Sequence, residues 1–165
     1  MVRSVLPGRR GVKRVLTLDM GSATGWALRD RSGAISTGVT KFLKSITPGS
    51  RWLRFYTWLN SWDDLQLIVY EEPFIHFKHR SGLGVSYGFK TVLELYAAQR
   101  DVRCIGVAPS LLKQFATGHG NASKDQMWKF ANSMNWGITD DNEIDARWLM
   151  EYAMQRLLRF KETAA

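Results

Sequence analysis

The chain is predicted to be an α/β protein built on one mixed five-stranded sheet with helices packed against it. Three observations lead there. Apolar residues make up 45% of 165, enough for one core at a length that suits one domain. Five short apolar runs, over residues 13–20, 26–30, 34–42, 65–70 and 102–107, have the length and composition of strands. Stretches with helical spacing separate and follow the later runs, which gives the order βββαβαβ and then helices.

The first strand, Lys13 to Met20, is leucine-rich and reaches an acid at Asp19. Trp26 to Asp30 is the second, and Asp30-Arg31-Ser32-Gly33 is a turn signal leading to the third, Ala34 to Phe42. Three strands joined this tightly form an antiparallel meander. Pro48 and Gly49 break the chain before a helix from Arg51 to Trp62, with Trp52, Phe55, Tyr56 and Leu59 on one face. Trp58 and Trp62 lie off that face, which leaves three roles open: exposure, an interface, or cover for a sheet edge. Leu65 to Tyr70 is a buried strand bounded by acids. Leu83 to Ala98 reads as a helix whose bulky residues include Tyr87, Val92, Leu95 and Tyr96, and Val102 to Val107 as the last strand. Ser110 to Thr117 is a short helix stopped by Gly118. Ser123 and Gln126 have capping-box spacing at the head of the next, which runs to Asn135. A final helix starts near Asp140 and runs to about Phe160, with acids in its first turn where the helix dipole favours them. With no repeat, low-complexity block or linker, residues 12–165 form a single domain behind a loose basic arm at 1–11 that contains Pro7, Gly8 and Gly11.

Charge points to a partner. Lys and Arg total 23 against 15 Asp and Glu, a formal net charge of +8. Such an excess suits a polyanion, because Lys and Arg displace counterions from phosphates. The single cysteine, Cys104, excludes an internal disulfide and fits a reducing compartment. Its apolar setting makes it core filler rather than a nucleophile. No apolar run is long enough to span a membrane, and the run after Arg14 is too short for a secretory signal. The expected location is the cytoplasm of a bacterium or phage-infected cell; an import signal in the basic arm, for an organellar matrix, is the alternative.

Three acidic positions carry the chemistry. Asp19 closes the first strand, ahead of Gly21. Glu71 and Glu72 close the fourth, just before Pro73. Successive strand residues face opposite ways, so only one of these two glutamates can share a side with an acid on a neighbouring strand. Asp141, Asn142 and Asp145 open the last helix at spacings of three and four, hence on one face, which Trp148, Leu149 and Tyr152 continue into the core. Each position alone has a plain structural reading: a turn residue, a solvated strand end, a dipole-favoured cluster. Together, carboxylates gathered at one sheet edge repel each other unless a divalent cation neutralises them. Mg²⁺ takes oxygen ligands and keeps waters for substrate phosphates. Two such ions about 4 Å apart activate water and stabilise the leaving oxygen of a phosphodiester.

At these residues the chain resembles the RuvC-type Holliday junction resolvases, bacteriophage members included. The matching stretches are Leu18-Asp19-Met20-Gly21-Ser22-Ala23-Thr24-Gly25-Trp26, Val69-Tyr70-Glu71-Glu72-Pro73-Phe74, Ala108-Pro109-Ser110-Leu111-Leu112-Lys113 through Thr117-Gly118-His119-Gly120-Asn121-Ala122-Ser123-Lys124, and Asn142-Glu143-Ile144-Asp145-Ala146, within residues 14–155. The resemblance implies a ribonuclease H-like fold. It also implies a homodimer that nicks four-way DNA junctions with Mg²⁺ or Mn²⁺, two ions per active site and no small-molecule cofactor. It assigns the first-strand acid to Asp19, the strand-end acid to Glu71 in preference to Glu72, and the last-helix acid to Asp145. Lys113 and Lys124 match basic positions beside the scissile phosphate. Where the family often has a second acid or a His, three residues before the final Asp, this chain has Asn142. Asn142 or Asp141 is then the further ligand.

His76, Lys78, His79 and Arg80 follow the strand-end glutamates and are expected to guide DNA, and Phe74 and Phe77 either stack on unpaired bases or pin the loop to the core. Gly82, Gly84 and Gly88 allow another backbone to approach, and the resemblance sets their helix at the dimer interface. Other readings remain: a ribonuclease H-fold nuclease for flaps, other branched DNA or RNA–DNA hybrids, and a non-catalytic branched-DNA-binding protein. Actin-like and sugar-kinase ATPases share the first motif, but they require a second glycine-rich phosphate loop that this chain lacks.

Overall fold

The computed structural model describes residues 14–44, 46–47, 49–73 and 80–158. The basic arm at 1–11 and the loop residues Phe74, His76, Phe77, Lys78 and His79 lie outside the described residues. Strands β1 (Val15–Asp19), β2 (Ala23–Arg29) and β3 (Ile35–Lys41) are followed by helix α1 (Ser50–Leu59), strand β4 (Leu67–Glu71), helix α2 (Arg80–Arg100) and strand β5 (Arg103–Val107). Helices α3 (Pro109–Thr117), α4 (Lys124–Ser133) and α5 (Asp141–Tyr152) complete the domain, and α5 runs on into π-helical turns over Ala153–Leu158. The sheet order is β3-β2-β1-β4-β5. The β1, β2 and β3 pairings are antiparallel, whereas β4 pairs in parallel with both β1 and β5. The mixed five-stranded sheet and the element order are those expected from the sequence.

Period-two alternation divides the core into two layers. Val15 in β1 and Leu67 and Val69 in β4 face α3, α4 and α5, in a layer with Leu112, Met127, Ile144 and Leu149. Leu16, Leu18, Ile68 and Tyr70 face the other way, onto Phe55, Leu59, Phe89 and Leu93 of α1 and α2. Both layers exclude water, which is the main favourable term in the fold.

Several boundaries differ from expectation. Strand β2 begins at Ala23 rather than Trp26, because Ala23-Thr24-Gly25 pairs in full with β3 despite its weak apolar signature. Helix α1 ends at Leu59, and Ser61 and Trp62 turn back by donating to the Trp58 and Leu59 carbonyls. Trp58 and Trp62 cover the sheet: Trp62 lies 5.3 Å from Trp26 and Trp58 5.6 Å from Phe42, ring centre to ring centre. In α2 the core side is carried by Phe89, Leu93 and Tyr96, while Tyr87 and Leu95 are exposed. Gly88 serves the chain's own packing, since a Cβ there would stand 2.4 Å from the Trp52 ring. Gly84 has open space around it. Cys104 is half-buried beside the α1–α2 layer, and burial pushes its thiol up to about 12, the behaviour of filler rather than a nucleophile. Among the described residues no helix is long and apolar enough to cross a membrane.

Candidate active site

Strand parity decides which glutamate joins Asp19. Positions 15, 17 and 19 of β1 point to the α5 side, as do 67, 69 and 71 of β4. The parallel register pairs Thr17 with Val69 and Leu18 with Tyr70, and one step further sets Asp19 beside Glu71. Glu72 is turned to α2 instead. The Tyr70 hydroxyl donates to its Oε1 at 3.1 Å and the Lys90 ammonium to its Oε2 at 2.8 Å. Burial, then the Glu72 carboxylate beside it, raises the Tyr70 phenol well above its ordinary range.

Helix α5 brings the third acid. Asp140 is its cap, accepting from the backbone N–H groups of Asn142 at 2.9 Å and Glu143 at 3.2 Å, so this carboxylate is used in starting the helix. The first turn crosses β2 directly over Gly25, which pairs with Asp19 in the β1–β2 ladder. A second tie lies deeper, where the buried Thr17 hydroxyl donates 2.7 Å to the Ala146 carbonyl. The Thr37 hydroxyl donates to the Glu143 carboxylate at the outer edge. These contacts hold the helix with Asp145 beside the strand ends.

The three acids line one cleft of about 610 Å³, whose opposite wall is formed by α3 and α4 with Lys113, Asn121, Lys124 and Trp128. Helix α3 starts with Pro109 in its first turn and is stopped by Gly118 in a left-handed conformation, φ 83°. Helix α4 opens with the capping box of Ser123 and Gln126 expected from their spacing. Lys124 therefore sits in the first turn of α4, with its ammonium 3.7 Å from the Asp141 carboxylate.

The electrostatics are those of crowded, partly dehydrated acids. Burial, then the charges of Glu71 and Asp145, holds Asp19 well above the usual carboxylate range, against the pull of Lys124. Glu71 is raised to about 7 by burial and by Asp145, with Lys113 and Lys124 opposing. Asp145 is raised to about 6, burial again leading, with Lys124 and Lys113 opposing and Asp141 reinforcing. Repulsion among the acids and attraction to both lysines bind these five side chains into one electrostatic unit.

An all-oxygen, anionic donor set of this kind fits a hard divalent cation better than a soft one. Among the described residues no three His, Cys, Asp or Glu side chains form a ready-made cation cage. Of the two candidates for a further ligand, Asp141 lines the cleft, while Asn142 presents its backbone carbonyl to Gly25 on the sheet side. Arg80 is the first residue of α2, and its side chain lies outside the described residues. Trp128 is a cleft residue that the motifs did not single out. Its spacing of four from Lys124 was the available signal.

No protein-family model matches the sequence, and neither does a curated protein. Solved structures do match. The Thermus thermophilus RuvC structure superposes with a TM-score of 0.64 at 18% identity, covering 86% of this chain and 95% of that one. The same organism's RuvC in complex with a Holliday junction substrate matches with a TM-score of 0.64 at 18% identity, over 84% of this chain and 90% of that one. The yeast mitochondrial Holliday junction resolvase matches with a TM-score of 0.55 at 13% identity, over 92% and 85%. The chain thus has the ribonuclease H-like fold these structures share.

Proposed function

We propose that this protein is a metal-dependent endonuclease that resolves four-way DNA junctions. One observation carries the reading: Asp19, Glu71 and Asp145, from two parallel strands and a helix, share a cleft with Lys113 and Lys124. The fold is shared with a RuvC whose structure contains a Holliday junction substrate, which favours branched DNA among the possible phosphodiesters. The overall charge of +8 suits such a partner.

The division of labour follows from charge. Asp19, Glu71 and Asp145, with Asp141 at the rim, would hold Mg²⁺ or Mn²⁺, two per site. Bound divalent cations supply an activated water and neutralise charge on the leaving oxygen. Lys113 and Lys124 hold the scissile phosphate against the acids and offset negative charge as it grows during hydrolysis. Lys78, His79 and Arg80, next along the chain from the strand-end acids, guide the strand into the cleft.

Resolution requires two nicks, hence two copies. The outer face of α2, where Gly84 is open and Tyr87 and Leu95 are exposed, would seat the second copy. An apolar face of this kind is suited to burial against its own symmetry mate.

Cleavage of synthetic four-way junctions, flaps, linear duplex and RNA–DNA hybrids with Mg²⁺ tests the reading, with Asp19→Asn as control. Paired symmetric nicks in the junction, lost in the variant while binding persists, are expected. Cutting of hybrid but not of junction assigns the same fold to another substrate. Junction binding without cutting by the native chain makes the protein a non-catalytic binder.

A further inference from the structure

We infer that Trp128 is a stacking platform for an unpaired nucleobase next to the scissile phosphate, an inference that rests on the nuclease reading and names how its substrate is gripped. Six of the chain's seven tryptophans, Trp26, Trp52, Trp58, Trp62, Trp136 and Trp148, pack against another aromatic ring. Trp128 has no ring partner among the described residues and is 41% exposed, yet it lines the cleft that holds Asp19, Glu71 and Asp145. Leaving that much indole in water is unfavourable, and a partner that covers it recovers the loss.

The surroundings define the partner. Lys124 lies four residues before Trp128, on the same face of α4, and lines the same cleft together with Lys113. A flat π-surface beside two ammonium groups complements a nucleotide: the lysines take the phosphate and the indole takes the attached base. A peptide or lipid would use the apolar ring but not the lysines directed at the acidic centre. In continuous duplex the bases are stacked on each other and leave no free face. The strand exchange point of a junction, a bulge or a nick offers one, and stacking on an aromatic ring tolerates any base. Trp128 thereby favours branched over continuous DNA without reading sequence.

The test uses the full chain and a four-way junction with 2-aminopurine at the exchange point, read for affinity, probe fluorescence and cleavage. Native protein should change the fluorescence. Trp128→Ala and Trp128→Leu should abolish the change and weaken junction binding roughly tenfold, within the range a lost base–aromatic stack produces. Trp128→Phe should keep most of both. The salt dependence of binding should be unaltered, since phosphate contacts set it. Because the side chain is part-exposed, the Leu variant retains a bulky apolar group and keeps the test valid if Ala perturbs α4. Affinity and fluorescence within about twofold of native in Ala and Leu variants that melt normally would overturn the inference, as would a change in oligomeric state, which would make Trp128 a protein contact. The nuclease reading fails separately, if native protein cuts none of the substrates. A native protein that binds no DNA ends both.

Discussion

Gly25 lies so close to Asn142 that a Cβ on it would stand 1.9 Å from the Asn142 carbonyl oxygen. Gly25 also pairs with Asp19 across the β1–β2 ladder, so one missing methyl lets the head of α5 settle beside the first acid. Gly25→Ala should push the helix off the sheet and lower stability by about 1–3 kcal/mol, the usual cost of overpacking. Cleavage should fall further than stability does, because Asp145 moves with the helix. Thermal melting and single-turnover cleavage measure the two effects. Native melting with native cleavage would mean that α5 does not depend on this contact.

The paired glutamates make a sharper comparison. Both glutamates border the cleft, but Glu71 is coupled by charge to Asp19 and Asp145, whereas the Glu72 carboxylate is tied to Tyr70 and Lys90. Glu71→Gln should reduce cleavage roughly a hundredfold or more, the several kcal/mol that metal-borne charge stabilisation is worth. Glu72→Gln should cost about 1 kcal/mol of stability through its weakened bond to Lys90, leaving most of the activity. If Glu72→Gln is the inactive variant, the parity assignment is reversed.

That only one glutamate of the pair could face Asp19 was legible in the sequence, because a strand's side chains alternate; the choice of Glu71 came from the resemblance to the resolvases. So were the capping box at Ser123 and the acid cluster opening α5, since both are local patterns. The start of β2 was not legible, because Gly25 is small for the sake of a helix more than a hundred residues away and the Thr24 hydroxyl is spent on the turn at Gly21. Nor was the use of Gly88, whose partner is Trp52 on α1. Trp128 was missed for a related reason: aromatic periodicity identifies core faces, and this ring faces a cleft that exists only after α3, α4 and the sheet have come together.

Stability should respond to pH in a direction set by the crowded acids. Glu71 is raised from 4.5 to about 7, Asp145 from 3.8 to about 6, and Asp19 is raised well above its ordinary value. Between the unfolded and folded values the native chain binds more protons than the unfolded one, so stability falls as pH rises. The contribution is fully present below about pH 4 and is lost as pH passes through the folded values near 6 and 7. Metal-free protein should therefore melt lower at pH 8 than at pH 5, with each kcal/mol lost worth about 2–4 °C. Adding Mn²⁺ should raise the pH 8 melting temperature more than the pH 5 one, since metal and proton compete for the same oxygens. Calorimetry at both pH values checks this. A melting temperature that rises from pH 5 to pH 8 without metal would show that the acids do not crowd each other.

The two lysines should separate from the acids in their effect on binding. Lys113 and Lys124 are the cations that pull the raised pKa values of Glu71 and Asp145 back down, and both line the cleft. If each contacts a phosphate, Lys113→Ala and Lys124→Ala should each weaken junction binding and lower the slope of log affinity against log salt by about one. Asp19→Asn should leave that slope unchanged or raise affinity slightly, because it removes negative charge near the phosphate. Cleavage should fall in the lysine variants even at saturating DNA, where a loss of binding alone would be masked, because charge growing on the phosphate is then left without its partner. Salt titrations of affinity, with cleavage measured at saturation, separate the two roles. A lysine variant with the native salt slope and native saturated rate has no phosphate contact.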